Sequence, residues 1–179
     1  MKIHKVPLIA AGVLTLVVVG TATLLSNPSL LQGSVRASLN VTRAELATEV
    51  VTKALGTQTE TCGDFVDVPV TASYNPYVCA AYTYGFMSGY DDGTFGPSEL
   101  VTRAQAAKVV HTAFSINYDC QLPQLYADVA LSDWYSEFVN ELGIQSVFGS
   151  AVTLGGNFEP NSVLNKLALK LWLTNVAAL

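Results

Sequence analysis

Short motifs recur along this chain at intervals of 60 to 63 residues. V-T-R-A-E at 41–45 recurs as V-T-R-A-Q at 101–105, and F-V-D-V at 65–68 recurs as Y-A-D-V at 126–129. F-G-P at 95–97 recurs as F-E-P at 158–160, and the motifs keep the same order each time. Self-similarity at a fixed period indicates a repeat architecture, in which each unit buries its apolar face against its neighbours. We therefore expect a leading half repeat at 38–61, a full repeat at 62–118 and a degenerate repeat at 119–179.

Each full repeat has the pattern of two helices joined by a Gly-rich turn. The extended F-x-D-V segment is followed by a short helix, predicted at about 75–87 and 133–143, and then by a longer helix at about 102–114 and 165–176. The longer helices carry apolar residues at helical spacing, so one side of each is suited to burial. The sequence thus predicts a mainly α fold with short extended or hairpin segments.

The starts of the longer helices carry capping residues. Thr42 with Glu45, and Thr102 with Gln105, have the spacing of a capping box, in which each side chain accepts a hydrogen bond from the backbone of the other residue. Asn165 is also a favoured N-cap residue. These residues therefore have a structural explanation that needs no ligand.

A cation at the first position of each of these helices has no such explanation. Arg43, Arg103 and Lys166 follow the predicted caps, where the positive end of the helix dipole disfavours a cation by a few tenths of a kcal/mol. One interpretation is an anion docked at the helix N-terminus, held by exposed N–H groups together with the cation. The other is an intramolecular salt bridge, for example to Asp92 or Asp67. The residues alone leave both interpretations open.

The N-terminal segment is predicted to direct export. Residues 1–5 carry two lysines, and residues 6–25 carry no charge, which is typical of a signal peptide but also close to the length that spans a bilayer. We assign 1–37 as a signal peptide or N-terminal membrane anchor. Without it the chain has six basic and fourteen acidic residues, a formal charge of −8. Such a surface repels nucleic acid, so no nucleic-acid partner is expected.

The three cysteines lie in the part that is predicted to be exported. An oxidising compartment permits one disulfide, and Cys62 with Cys79 is the favoured pair, which leaves Cys120. The chain has no C-x-x-C or H-x-x-x-H spacing and no nucleophile with a matching base. We therefore expect no metal, no cofactor and no enzymatic activity.

The combined motif F-x-D-V, W-Y-x-x-x-V and G-Y-x-D-G-T-F-x-P-x-x-x-V-T-R-A-E resembles the S-layer homology (SLH) domain family over nearly all of 38–179. The resemblance implies three repeats in a pseudo-threefold arrangement around a helical core. It also implies non-covalent attachment of exported proteins to the cell envelope, through anionic or pyruvylated cell-wall polysaccharide.

The resemblance further implies which residues bind the ligand. In this family, the arginine of T-R-A-E lies in a groove between neighbouring repeats and binds the acidic group of the sugar. The resemblance therefore implies this role for Arg43 and Arg103. The glycines and aspartate of G-Y-x-D-G, which are Gly89, Asp92 and Gly93 here, line such a groove.

Two departures from the family pattern weaken this expectation. The first repeat lacks its F-x-D-V half, and the third has Lys166 for arginine, which cannot make the planar bidentate contact of a guanidinium. We expect two competent cation positions and a degraded third. The alternative function is a structural or protein-interaction module of a surface layer that binds other surface-layer proteins, or a module tethered to the membrane through residues 6–25 without binding glycan.

Overall fold

The computed structural model describes residues 39–116, 122–149 and 155–179. These ranges contain five helices, which are α1 Arg43–Leu55, α2 Asn75–Thr83, α3 Arg103–Ala113, α4 Ser136–Ile144 and α5 Lys166–Val176. No strand occurs in these ranges, only isolated bridges between residues next to the helix starts. The prediction of a mainly α fold is confirmed.

Several sequence predictions lie outside the described residues. They concern the leader at 1–37, with its uncharged run at 6–25, and Cys120. None of the five helices is both long enough and apolar enough to cross a bilayer.

The long helices begin at side-chain caps. The Thr42 hydroxyl accepts from the backbone N–H of Glu45 at 3.3 Å, and the Glu45 carboxylate accepts from the N–H of Thr42 at 3.1 Å. Thr102 and Gln105 repeat this exchange at 3.3 and 2.9 Å. Asn165 accepts from a backbone N–H in the first turn of α5 at 2.8 Å. Each long helix therefore starts immediately after a residue whose side chain fixes the first turn.

The short helix α2 ends at Thr83, earlier than the predicted 87. The chain reverses at Gly85, whose φ of +72° favours glycine. The N–H of Gly85 donates to Tyr82 O and that of Phe86 to Ala81 O, which is the Schellman termination. The residues that follow are therefore free to form the loop toward the next long helix.

Three buried residues, one before each long-helix cap, form a closed ring of backbone hydrogen bonds. Val41 N–H donates to Leu164 O at 2.9 Å, Leu164 N–H to Val101 O at 2.9 Å, and Val101 N–H to Val41 O at 3.0 Å. All three side chains are 2% exposed or less. The ring brings the starts of α1, α3 and α5 together. It supports the predicted pseudo-threefold arrangement of whole repeats, which itself stays a prediction.

The first N–H groups of α1 and α3 bind the loop of the next repeat. Arg43 and Ala44 donate to Glu99 O and Pro97 O at 2.9 and 3.1 Å. In the same way, α3 donates through its first two residues to Ser162 O and Pro160 O at 2.9 and 3.0 Å. Groups that most helix starts leave unpaired therefore join one repeat to the next.

The aspartate of each F-x-D-V segment holds the F-x-P loop of its own repeat. The Asp67 carboxylate accepts from the N–H groups of Phe95 and Gly96 at 2.7 and 2.8 Å. Asp128 makes the same two bonds in the third repeat, to the N–H groups of Phe158 and Glu159, both at 2.7 Å. These loops are the ones that the long helices bind, so the aspartates fix the surface between repeats.

The apolar core extends across all three repeats. Helix α1 packs against α2 and α3, and α3 packs against α4. In the third repeat, the Phe148 ring lies 4.7 Å from Trp172 and 4.8 Å from Phe158, measured between ring centroids. In the second repeat, Phe65 lies 5.4 Å from Phe95. The phenylalanine of each F-x-P motif is thus buried in the apolar core of its own repeat.

A disulfide joins Cys62 to Cys79, with their Cα atoms 5.8 Å apart. The side chain of Asn75 reinforces this link because its amide accepts from Cys62 N–H at 3.2 Å and donates to Cys62 O at 3.0 Å. Together they fix the segment before F-x-D-V against α2.

Replacing Asp67 with alanine leaves the N–H groups of Phe95 and Gly96 without their acceptor. We expect the free energy of unfolding to fall by about 3–6 kcal/mol, since two bonds to a charged acceptor are lost and each contributes roughly 1.5–3 kcal/mol. Asp67→Asn keeps one acceptor oxygen and should lie in between. Urea unfolding followed by circular dichroism measures the change. Exposed Asp64→Ala is the control, and an equal loss in both alanine variants would contradict the assigned role.

Reduction of the Cys62–Cys79 disulfide should lower the free energy of unfolding by about 3 kcal/mol, because the open loop gains conformational freedom in the unfolded chain. Urea midpoints with and without dithiothreitol measure this. A Cys62→Ser/Cys79→Ser protein should show no response to the reductant. A response of equal size in that variant would assign the effect elsewhere.

Candidate functional site

The side chain of Arg43 crosses from α1 to the loop of the second repeat. Its Nε donates to Phe95 O and its Nη2 to Ser88 O, each at 2.7 Å. The guanidinium carbon lies 4.7 Å from the centroid of the Phe95 ring and 4.9 Å from that of Tyr90. The planar cation is therefore held between two aromatic rings and two carbonyls, which is a favourable setting for a guanidinium.

Arg103 occupies the corresponding position between α3 and the loop of the third repeat. Its Nε donates to Phe158 O at 2.7 Å, and its guanidinium carbon lies 4.7 Å from the Phe158 centroid and 5.4 Å from that of Trp172. Burial lowers the pKa of Arg103 from its usual value, while the carboxylates of Glu159 and Asp128 act in the opposite direction. An arginine nevertheless stays protonated at physiological pH.

Both guanidinium groups retain N–H donors. A guanidinium has five, of which Arg43 uses two and Arg103 uses one within the described ranges. In each case Nε is occupied and the unused donors are on the Nη atoms. A carboxylate or phosphate that approaches the Nη edge can accept two parallel hydrogen bonds.

The structure supports neither sequence interpretation for the two arginines, whereas Lys166 does form an intramolecular salt bridge, to Glu45. The N–H groups at the starts of α1 and α3 are bonded to carbonyls of the next repeat, so they cannot hold an anion. Arg43 is not bonded to Asp67, whose carboxylate binds backbone N–H groups, nor to Asp92. The intramolecular partners of both arginines are carbonyl oxygens and aromatic faces.

The residues of the G-Y-x-D-G motif shape the loop that carries Tyr90. Asp92 accepts from the N–H and hydroxyl of Thr94 at 3.0 and 2.6 Å, and these bonds lower the pKa of its carboxyl. Gly93 has a φ of +81°, as the turn requires. Gly89 lies against Phe65 and Thr94. The structure thus gives each a structural role, and direct contact with a ligand stays a prediction.

Sequence reasoning missed Tyr90 and Glu99 as parts of the Arg43 site. The Tyr90 hydroxyl donates to the Glu99 carboxylate, and this hydrogen bond raises the pKa of Tyr90. Tyr90 is 46% exposed, so part of this residue beside the Arg43 guanidinium is accessible to solvent. Tyr90 was visible in the sequence as part of the G-Y-x-D-G motif, but the contact of its ring with Arg43, 47 positions away, was not.

Lys166 does not reproduce the arginine site. Its Nζ is bonded to Glu45 at 2.7 Å, and both side chains are about half exposed. The described part of the first repeat contributes only α1, so no F-x-P loop from it lies over Lys166. An open groove of about 380 Å³ takes its place, lined by Val41, Glu45, Glu49, Lys166, Leu169 and Lys170.

His111 has an acidic partner that the sequence did not indicate. Its Nε2 contacts the buried carboxylate of Glu141, and its ring packs at 5.0 Å from Phe138. This pair joins α3 to α4 inside the protein and lies apart from both arginines. Its role in the described structure is packing between helices.

The packing around Gly89 leaves no space for a side-chain methyl group. In Gly89→Ala the new Cβ would lie 2.8 Å from Thr94 O and overlap the Phe65 ring. Overpacking of this kind costs about 1–3 kcal/mol, so we expect a lower urea midpoint. The matched control is Gly63→Ala, whose Cβ meets no atom within 4 Å. Equal midpoints for the two variants would show that Gly89 is not needed for packing.

Comparisons with known proteins agree with the repeat motifs. The S-layer homology domain family matches residues 64–107. The surface-layer 125 kDa protein of Lysinibacillus sphaericus is 26% identical over 148 residues, which is 79% of this chain and 12% of the relative. The surface layer protein of Brevibacillus choshinensis is 36% identical over 59 residues, or 31% of this chain and 5% of the relative.

The middle cell wall protein of Brevibacillus brevis is likewise 36% identical over 59 residues, which is 31% of this chain and 6% of that protein. The chain therefore spans a small part of the length of these relatives. The matched range includes the F-x-D-V aspartate Asp67, the G-Y-x-D-G turn and Arg103, whose contacts are described above. The predicted resemblance to the S-layer homology domain family is thus confirmed, with the family match at residues 64–107.

Proposed function

We propose that this chain attaches its protein to the cell surface by binding an anionic cell-wall polysaccharide. Arg43 and Arg103 make the charged contacts, and a carboxylate on the sugar, such as that of a pyruvate ketal, is the group they bind. The printed names of the relatives refer to surface layers and the cell wall, which supports a surface location. The attachment is non-covalent and involves no catalysis.

One observation carries this proposal. Two guanidinium groups lie at junctions between repeats, each against aromatic rings and each with Nη donors that no described residue uses. Their Nε bonds and ring contacts fix the plane of the cation in advance. A ligand therefore loses less conformational freedom on binding than it would at a mobile surface arginine.

The charge distribution determines what kind of ligand fits. The chain carries a formal net charge of −5, so long-range attraction does not draw a polyanion to it. Glu159 and Asp128 also lie close enough to Arg103 to affect its pKa. Binding must therefore come from short-range bidentate contacts, and two sites on one polymer add avidity.

The alternative of a protein-interaction module is favoured by a separate feature. The groove at Lys166 lacks the loop that covers the corresponding parts of α1 and α3, and this leaves Leu167 79% exposed. The two functions use different surfaces and are compatible with each other.

Cosedimentation with purified cell walls of the producing organism tests the proposal. The wild-type chain should pellet with untreated walls, and less after mild acid has removed ketals. Arg43→Ala/Arg103→Ala should lower the affinity by more than about 100-fold, because two charge-assisted contacts are lost and each contributes roughly 1.5–3 kcal/mol. Arg→Lys at both positions should restore only part of it, since lysine lacks the bidentate geometry.

Lys166→Ala and the exposed Lys53→Ala are the matched controls, and both should pellet like wild type. Circular dichroism establishes that each variant remains folded. Wall binding that persists undiminished in the folded double-alanine variant would refute the assigned roles of the arginines. A wild-type chain that stays in solution would refute polysaccharide binding itself.

A further inference from the structure

The two loops that cover the starts of α1 and α3 correspond residue by residue. They are 95–100 in the second repeat and 158–163 in the third. In each loop the carbonyls of the third and fifth residues accept from the first N–H groups of the long helix. The N–H groups of the first and second residues donate to an aspartate in both loops. The second places of the two loops are therefore equivalent, and so are the fifth places.

Each loop has one acidic residue, but at a different place. Glu99 is the fifth residue of its loop, where the other loop has Ser162. Glu159 is the second residue of its loop, where the other loop has Gly96. The backbone is left-handed at this second place in both loops, with φ values of +70° and +59°. The third repeat thus carries a glutamate in a conformation that favours glycine.

The two glutamates bring a carboxylate to the same part of the loop. A Cβ atom added to Gly96 would lie 2.7 Å from Cδ of Glu99 and 2.9 and 3.0 Å from its carboxylate oxygens. The Glu99 carboxylate therefore occupies the space into which the side chain of Glu159 extends from the equivalent backbone position. Different residues thus supply a carboxylate at the same point of each junction between repeats.

Each of these carboxylates lies near an arginine without forming an ion pair with it. Glu99 accepts from the Tyr90 hydroxyl at 2.5 Å, and the Tyr90 ring lies against the Arg43 guanidinium. Burial lowers the pKa of Arg103, and among the nearby charges Glu159 opposes this shift most. Neither arginine is ion-paired with a carboxylate in the part of the chain that the structure describes. Each junction therefore presents guanidinium donors and, beside them, a negatively charged acceptor.

This combination of groups selects a ligand that has both an acid and a hydroxyl. The guanidinium needs a ligand carboxylate, and the glutamate needs a ligand O–H donor. An anion without a hydroxyl, such as a phosphodiester, would face the charge of the glutamate with no hydrogen bond to offset the repulsion. Selectivity for hydroxylated acids follows from the pair of groups and not from the arginine alone.

We propose that Glu99 and Glu159 are specificity-determining residues, each of which accepts a hydroxyl of the sugar whose carboxylate binds the neighbouring arginine. The ligand class is a pyranose that carries both a carboxylate and a free hydroxyl, and uronic acids and pyruvate ketals share this chemistry. The inference rests on the proposed function and makes its ligand more specific.

A nuclear magnetic resonance titration of the full chain tests the proposal at each site separately. The Nε–H groups of Arg43 and Arg103 are both hydrogen-bonded, so the side-chain signal of each reports on its own site. The probes are methyl glucuronoside and tetrahydropyran-2-carboxylate, which share the ring, the acid and the charge but differ in their hydroxyls. The wild type should bind the glucuronoside about tenfold more tightly at both arginines, because only this probe donates to the glutamates.

Exchange of residues between the two loops provides the variants. Glu99→Ser introduces the residue of the third repeat and should remove the preference at Arg43. The unchanged Arg103 site in the same molecule is the matched control and should keep its preference. Gly96→Glu/Glu99→Ser should restore the preference at Arg43, because the glutamate then occupies the place of Glu159. A folded double variant without the preference would refute the equivalence of the two carboxylates.

A purely structural role for Glu99 predicts a different result. If Glu99 only held Tyr90 in place, Glu99→Ser would weaken both probes equally, and this outcome would overturn the proposal. A wild-type chain that binds both probes equally, or binds neither, would overturn it as well.

Cosedimentation with cell walls separates failure of this inference from failure of the proposed function. A chain that pellets with walls but shows no preference between the probes refutes the roles of the glutamates and leaves wall attachment in place. A chain that does not pellet refutes attachment itself. Mild acid removes ketals and leaves uronic acids, so the effect of this treatment on pelleting distinguishes the two sources of the acid.

Discussion

The closed ring of backbone hydrogen bonds among Val41, Val101 and Leu164 is the contact on which the rest of the structure depends. It brings the starts of the three long helices together, so that the first turns of α1 and α3 each face the loop of the following repeat. Because the N–H groups of that turn then bond to the loop, the repeats are joined by main chain as well as by apolar packing. Side chains at the same junction can consequently serve in recognition.

The arginines have a structural contact and unused binding capacity at the same time. Arg43 ties α1 to the loop of the second repeat through two carbonyls and still retains Nη donors. A ligand held there would contact both repeats and strengthen their junction. The carbonyls and ring faces also explain why a cation occurs at the start of α1. Their contacts with Arg43 offset the small cost of placing a positive charge at the positive end of the helix dipole.

Local chemistry was predictable from the sequence, whereas contacts between distant segments were not. The cap at Thr42 depends on residues three apart, and the Cys62–Cys79 pair was favoured because the two cysteines flank the F-x-D-V segment and the start of a predicted helix. The bond from the Arg43 guanidinium to Phe95 O spans 52 positions and depends on how the repeats close. For the same reason, the sequence suggested that the N–H groups at the helix starts are exposed, whereas in α1 and α3 they bond to carbonyls of the next repeat. The exposure of Leu167 likewise depends on a neighbour that the first repeat does not contribute.

Closure of the ring also limits how such a protein can evolve. Each of its three residues uses its one N–H within the ring, and each carbonyl accepts a bond from another member. A fourth unit inserted by duplication would find no free donor at the centre and would have to break an existing bond to enter. Unlike an open solenoid, which can lengthen one unit at a time, this ring accepts no further member without losing one of its bonds.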